Sequence, residues 1–214
     1  MPPFFPATDL YAITDDSLSL GRPLETVAAA LLAAGIKILQ YREKRKKARE
    51  RLGECRLLRA MTREAGACFI VNDYLDIALL AEADGIHVGQ EDLPVAEIRR
   101  LAGGSLLVGV STHSPAQAAQ AAAEGADYIG VGPLFATQTK EDVCAPVGLE
   151  YLEHVAAVHG GLPFVAIGGI KRRNIGQVVS RGASCCCLVS ELVSAPDIPA
   201  RVAEVRRAMR REPG

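Results

Sequence analysis

The segment LQYREK, residues 39–44, ends an apolar, β-prone run with Gln40, Arg42 and Lys44 spaced two apart. On an extended chain alternate residues share one face, so an amide, a guanidinium and an ammonium point the same way. Arg as a planar fork and Lys as a point charge both hold phosphoryl oxygens, and Lys140 adds a third cation. Asp73 and Asp92 follow two further apolar runs, and two carboxylates with phosphate oxygens and water form a usual Mg²⁺ arrangement. These residues together suggest a site for a Mg²⁺-bound diphosphate. A second anion site is suggested by AIGGI and LVSEL, where Gly168 and Gly169 allow close backbone approach and Ser190 follows Val189. Thr137 and Thr139 offer hydroxyl donors beside it. Two phosphorylated ligands at one site imply group transfer rather than isomerisation.

Each residue has a plainer use. Asp73 can cap a helix starting near Tyr74, and Asp92 one starting near Pro94. Ser111, Thr137 and Thr139 can satisfy loop backbone, and Ser190 can be a helix N-cap. His87 and His113 fit structural or positioning roles better than a general base, and no HxH or HExxH spacing for zinc occurs. The run Cys185, Cys186, Cys187 reads as small core residues on alternating faces.

The elements that must position these residues repeat. Apolar strands are expected at residues 10–15, 36–43, 68–73, 85–90, 106–111, 128–133, 164–169 and 184–190, with amphipathic helices between them at 24–34, 48–65, 115–124 and 149–158. Ser114-Pro115 starts one helix, and Gly35, Gly66, Gly125 and Gly182 follow others. Eight βα units in 214 residues predict an α/β fold, a (β/α)8 TIM barrel forming one domain over 1–214, with a short extension over about 1–9 and a frayed C-terminus. In such a barrel the site lies at the C-terminal ends of the strands, where the polar residues above collect.

Composition narrows the function classes. A net charge of -1 leaves no electrostatic footprint for nucleic acid, so an anionic ligand needs a local cluster. The one basic run, KRKKARERL from Lys44 to Leu52, is expected to continue as a solvated helix face with Lys46 and Glu50 paired. No stretch reaches the roughly 18 apolar residues of a membrane helix, and no signal peptide is evident. Six cysteines without a disulfide framework then fit reduced thiols and a cytoplasmic protein.

The ordered set YAITD, QYREK, IVNDYLDIAL, DGIHVGQEDLP, GVSTH, GADYIGVGPLFATQTK, AIGGI and LVS resembles the thiamine-phosphate synthase family over nearly the whole chain. The resemblance implies that Gln40, Tyr41, Arg42, Glu43 and Lys44, with Asn72, Ser111 and Lys140, bind hydroxymethylpyrimidine diphosphate, and that Asp73 and Asp92 hold Mg²⁺. It implies that Thr137, Gln138, Thr139, Gly169, Val189 and Ser190 bind thiazole phosphate. Arg42, Lys44, Ser111 and Lys140 are then the catalytic set for a dissociative substitution, in which diphosphate leaves and the thiazole nitrogen captures the pyrimidinylmethyl cation. Glu191 stands where such a family usually has a small residue. A thiazole-phosphate isomerase or a non-catalytic barrel binding thiamine precursors are the alternatives. Whether two barrels pair as a homodimer stays open.

Overall fold

The computed structural model describes residues 4–137, 144–159 and 161–210. Eight parallel strands close into a barrel in sequence order, with β1 paired to β8. They are β1 Leu10–Ile13, β2 Ile38–Tyr41, β3 Cys68–Asn72, β4 Gly85–Val88, β5 Leu107–Thr112, β6 Tyr128–Val131, β7 Phe164–Ile167 and β8 Cys186–Leu188. Helices α1 Leu24–Ala33, α2 Ala48–Glu64, α3 Leu75–Leu80, α4 Val95–Ala102, α5 Pro115–Ala123, α6 Gly148–Val158, α7 Ile175–Val179, α8 Ser190–Val193 and α9 Ile198–Met209 complete the described chain. Seven of the eight expected strands run longer than the observed ones, mostly at their C-terminal ends, while β5 keeps its expected length one residue further on. Residues such as 42–43, 89–90 and 168–169 leave the ladder there and turn into the rim.

Strand alternation divides the core into two layers. Tyr11, Ile13, Ile38, Ile70, Leu107, Tyr128, Val165, Cys185 and Cys187 fill the barrel interior. Leu10, Leu39, Val71, Ile86, Val108, Ile129, Ala166 and Cys186 face the helices. The cysteine run therefore alternates as its spacing predicts. Burial pushes the Cys186 thiol up to about 12, so it stays protonated and inert.

Local chemistry sets the element ends. Ser114 Oγ accepts from Gln117 N at 3.3 Å to cap α5 ahead of Pro115. The basic run departs from expectation: Lys46 pairs with Asp16 and with Glu54, while Glu50 accepts from the Lys47 N–H at 3.3 Å. Helix α2 starts only at Ala48, so Lys46 lies outside the helical register that would bring Glu50 beneath it. The ends of the chain are tied by Arg206 of α9. Its guanidinium donates to both Asp9 oxygens at 2.8 and 3.1 Å and to the carbonyls of Ala34 and Gly35 at 2.7 and 3.0 Å.

At the N-terminal end of the barrel the Phe5 ring packs on Tyr128, centroids 4.5 Å apart. Tyr128 in turn lies over Gly109, where a Cβ would stand 2.1 Å from its Cζ. Gly109→Ala is expected to destabilise the protein by about 1–3 kcal/mol in urea denaturation, because the buried ring has nowhere to move. An unchanged midpoint would show that the ring is free to swing.

Candidate active site

The C-terminal rim collects an acidic pair and its cations. Asp73 follows β3 with φ of +62°, a left-handed conformation that Asp tolerates better than most side chains. Its N–H still donates to the His87 carbonyl at 2.9 Å, so the ladder to β4 is kept while the chain turns. Neither it nor Asp92 caps a helix: α3 and α4 have no side-chain cap hydrogen bond. Asp73 instead pairs with Lys44, and Asp92 accepts from the Gly89 N–H at 2.7 Å. Burial pushes the Asp73 carboxyl above its usual range; Lys44 pulls it back, and the neighbouring Asp92 carboxylate pushes it up again. Two facing carboxylates with one of them destabilised as an anion are a donor set that a hard divalent cation fits. Among the described residues no larger group of metal-ligating side chains occurs.

The LQYREK segment divides between three directions. Gln40 points into the barrel and is buried. Arg42 reaches toward Asp15, 3.6 Å away, and its N–H donates to Thr14 Oγ1 at 3.2 Å. Tyr41 lies on the outer face, where its hydroxyl donates to Glu54 of α2 at 2.6 Å. Glu43 accepts from the N–H groups of Arg45 and Lys46 at 2.5 and 3.2 Å, which shapes the turn into α2. Arg51 of α2 lies over the Tyr74 ring at 3.9 Å and donates to the Lys44 carbonyl at 3.4 Å, bracing this turn against the residue after Asp73.

Below the rim runs a chain of hydrogen bonds that residue spacing does not reveal. Gln40 Nε2 donates to Tyr11 Oη at 2.7 Å, Tyr11 Oη meets Tyr128 Oη at 3.1 Å, and Tyr128 Oη meets His87 Nδ1 at 3.0 Å. His87 Nε2 then meets Ser111 Oγ at 2.9 Å. Burial holds both phenols well above their usual pKa, so each keeps its single proton. With Gln40 donating at one end, the assignment that uses each phenol proton within the chain has Tyr11 donating to Tyr128 and Tyr128 to Nδ1. That assignment makes His87 the Nε2–H tautomer, with Ser111 Oγ as its acceptor. Tyr11 and Tyr128 look like core aromatics in the sequence; only barrel closure brings them to one network. Asn72 lies buried at the end of β3, in register with His87.

On the other side of the mouth, the segment after β6 is bound to the end of β7. Leu134 N donates to Ile167 O at 2.9 Å and Phe135 N to Gly168 O at 3.0 Å. Gly168 and Gly169 have φ of +97° and +64°, and a Cβ on them would collide with Pro133 and with Phe135. Thr137 follows shortly after this contact, on the same segment. Ser190 opens α8 after Val189, and its Oγ accepts from Lys171 Nζ at 2.7 Å. Gln138, Thr139 and Lys140 lie outside the described residues.

A family model described as thiamine monophosphate synthase matches residues 10–192. The chain belongs to this family. It is 56% identical over 201 residues to the thiamine-phosphate synthase of Lawsonia intracellularis, covering 94% of this chain and 92% of that protein. Against the thiamine-phosphate synthase of Pelotomaculum thermopropionicum it is 56% identical over 204 residues, covering 95% and 93%. Its fold matches a thiamine phosphate pyrophosphorylase structure from Pyrococcus furiosus with a TM-score of 0.85 and 33% identity, over 94% of each chain. Membership in the thiamine monophosphate synthase family accords with the barrel and with the clustering of charged residues at one rim. No described helix is long and apolar enough to cross a membrane.

The raised pKa of Asp73 fixes a sign. Between its usual pKa and the raised one, the folded state binds more protons than the unfolded state, so stability falls as pH rises through that window. Asp73→Asn is therefore expected to raise the thermal midpoint of the metal-free protein at neutral pH, and to leave it unchanged well below the usual carboxylate range. A lower midpoint at neutral pH would show that the ion pair with Lys44 outweighs burial.

Proposed function

We infer that the chain joins hydroxymethylpyrimidine diphosphate to thiazole phosphate, releasing pyrophosphate and thiamine phosphate. The observation that carries this reading is the 56% identity to a thiamine-phosphate synthase sustained along 94% of the chain. Asp73 and Asp92 are the residues we assign to Mg²⁺, on their facing carboxylates and the strain that burial puts on the Asp73 anion. Bound there, Mg²⁺ supplies positive charge for the departing diphosphate.

The chain's own residues do the rest. Arg42 and Lys44 stand at the end of β2, and with Lys140 they are assigned to the diphosphate, where negative charge builds as the C–O bond breaks. The Ser111 hydroxyl, oriented by His87, offers a donor to the same substrate. Gln40 and Asn72 face the interior beside it. Thr137, Gly169, Val189 and Ser190, with Gln138 and Thr139, are assigned to the thiazole phosphate across the mouth. Holding both partners at one rim lets the thiazole nitrogen capture the pyrimidinylmethyl cation without a nucleophilic side chain. Tyr41 and Glu43 contribute by their backbone and by shaping the turn, since their side chains are engaged elsewhere. We place the reaction in the cytoplasm, a setting that suits six free thiols.

A thiazole-phosphate isomerase needs the second anion site but not an acidic pair, and the Asp73–Asp92 pair therefore weighs against it. The test is coupling of the two substrates by the purified protein, following thiamine phosphate and pyrophosphate with and without Mg²⁺. Equal amounts of both products are expected, only with the metal. Arg42→Met is expected to lower kcat by roughly 10²–10³, the usual cost of removing one group aimed at developing charge. Binding of both substrates without turnover in the wild type would leave the precursor-binding barrel as the better reading.

A further inference from the structure

Lys171 has no part in the assignments above, yet its ammonium stands on Ser190. It follows Ile170 in the turn after β7, and that turn is closed by Asn174, which accepts from the Lys171 N–H at 2.6 Å and donates to the Gly169 carbonyl at 3.1 Å. The backbone is thus held, and the side chain crosses from the β7 turn to the end of β8 to donate to Ser190 Oγ at 2.7 Å. Of the three N–H groups of an ammonium, this contact uses one. Because Ser190 Oγ accepts from Lys171, its own proton points elsewhere, and the two side chains present donors side by side.

Glu191 explains why a lysine is needed here. Its side chain is mostly buried, and an unneutralised carboxylate next to Ser190 would repel a phosphate. Two cations answer it: Arg201 of α9 donates to Oε1 at 2.7 Å, and Lys171 lies 3.7 Å from Oε2. Arg201 also pairs with Glu204 at 3.2 Å, so its charge is shared between two carboxylates. Lys171 and Arg201 are about equally open to solvent, at 30% and 34%, but Arg201 turns Nη1 and Nε to two carboxylates, whereas the Lys171 ammonium hydrogen-bonds Ser190 and lies 3.7 Å from Glu191. Lys171 is therefore the cation with donors left for an incoming anion, while Arg201 holds Glu191 back from it.

We propose that Lys171 binds the phosphate of the thiazole substrate together with Ser190 and is what selects that substrate over its unphosphorylated alcohol. The inference rests on the reading of Gly169, Val189 and Ser190 as the thiazole-phosphate site. It also gives Glu191 a use, since the Glu191–Arg201 pair steers Lys171 toward Ser190.

The experiment compares thiazole phosphate with the unphosphorylated thiazole alcohol, each varied at saturating pyrimidine diphosphate and Mg²⁺, in wild type, Lys171→Met and Lys171→Arg. Lys171→Met is expected to raise KM for thiazole phosphate roughly tenfold or more, the loss of one charge-assisted hydrogen bond. KM for pyrimidine diphosphate and kcat/KM for the alcohol should stay within about twofold, because neither involves this cation. Lys171→Arg should restore most of the preference. An unchanged KM for thiazole phosphate in Lys171→Met, or an equal loss on both thiazoles, overturns the proposal while the site reading stands. A wild type that does not distinguish the two thiazoles removes the site reading and the proposal together.

Discussion

Closure of the parallel sheet is the constraint on which everything else depends. Each strand donates to and accepts from both neighbours, β1 with β8 included, so all eight C-terminal ends must meet at one rim. That is how residues as distant in sequence as Arg42, Asp73, Ser111 and Ser190 come to share a mouth. The same closure fixes which side chains face inward. Gln40 joins the interior because Ile38 does, and Tyr41 faces α2 because Leu39 does.

Charge is organised within this frame by local pairing rather than by a net field. The chain as a whole carries -1, yet the rim sets Lys44 against Asp73, Arg42 near Asp15, and Lys171 with Arg201 against Glu191. Each cation is held in place by a carboxylate before any ligand arrives, which reduces the ordering that binding must impose. Asp73 is the exception, since burial and Asp92 work against its charge. A rim proposed to gather anions thus keeps one anion of its own in discomfort, at the place assigned to a divalent cation.

Much of this is legible in the residues. The eight βα units, the alternation of Cys185 to Cys187 and the glycines that end helices follow from period and backbone chemistry alone. Two-residue spacing puts Gln40 on one face with Ile38, but does not show that Arg42 and Lys44 leave the strand and turn toward different carboxylates. Tyr41 and Glu43 are drawn into the expected site by contiguity with their neighbours, and their side chains turn to α2 and to the 43–46 turn. The polar chain through Tyr11, Tyr128 and His87 is hidden because its members come from strands far apart in sequence, and an interior tyrosine looks like any other core residue until its hydroxyl has a partner. Lys171 gives no signal for a related reason: its partner Ser190 opens the helix after the next strand, 19 residues away.

The packing of Phe5 on Tyr128 caps the N-terminal end of a barrel interior that side chains already fill. That cap is laid by residues ahead of the first strand, so the polar chain is covered from below by a side chain from outside the eight strands. The residues before β1 are therefore a stopper: a fusion or truncation reaching Phe5 would touch the ring that carries Tyr128, and through it His87 and Ser111, from below.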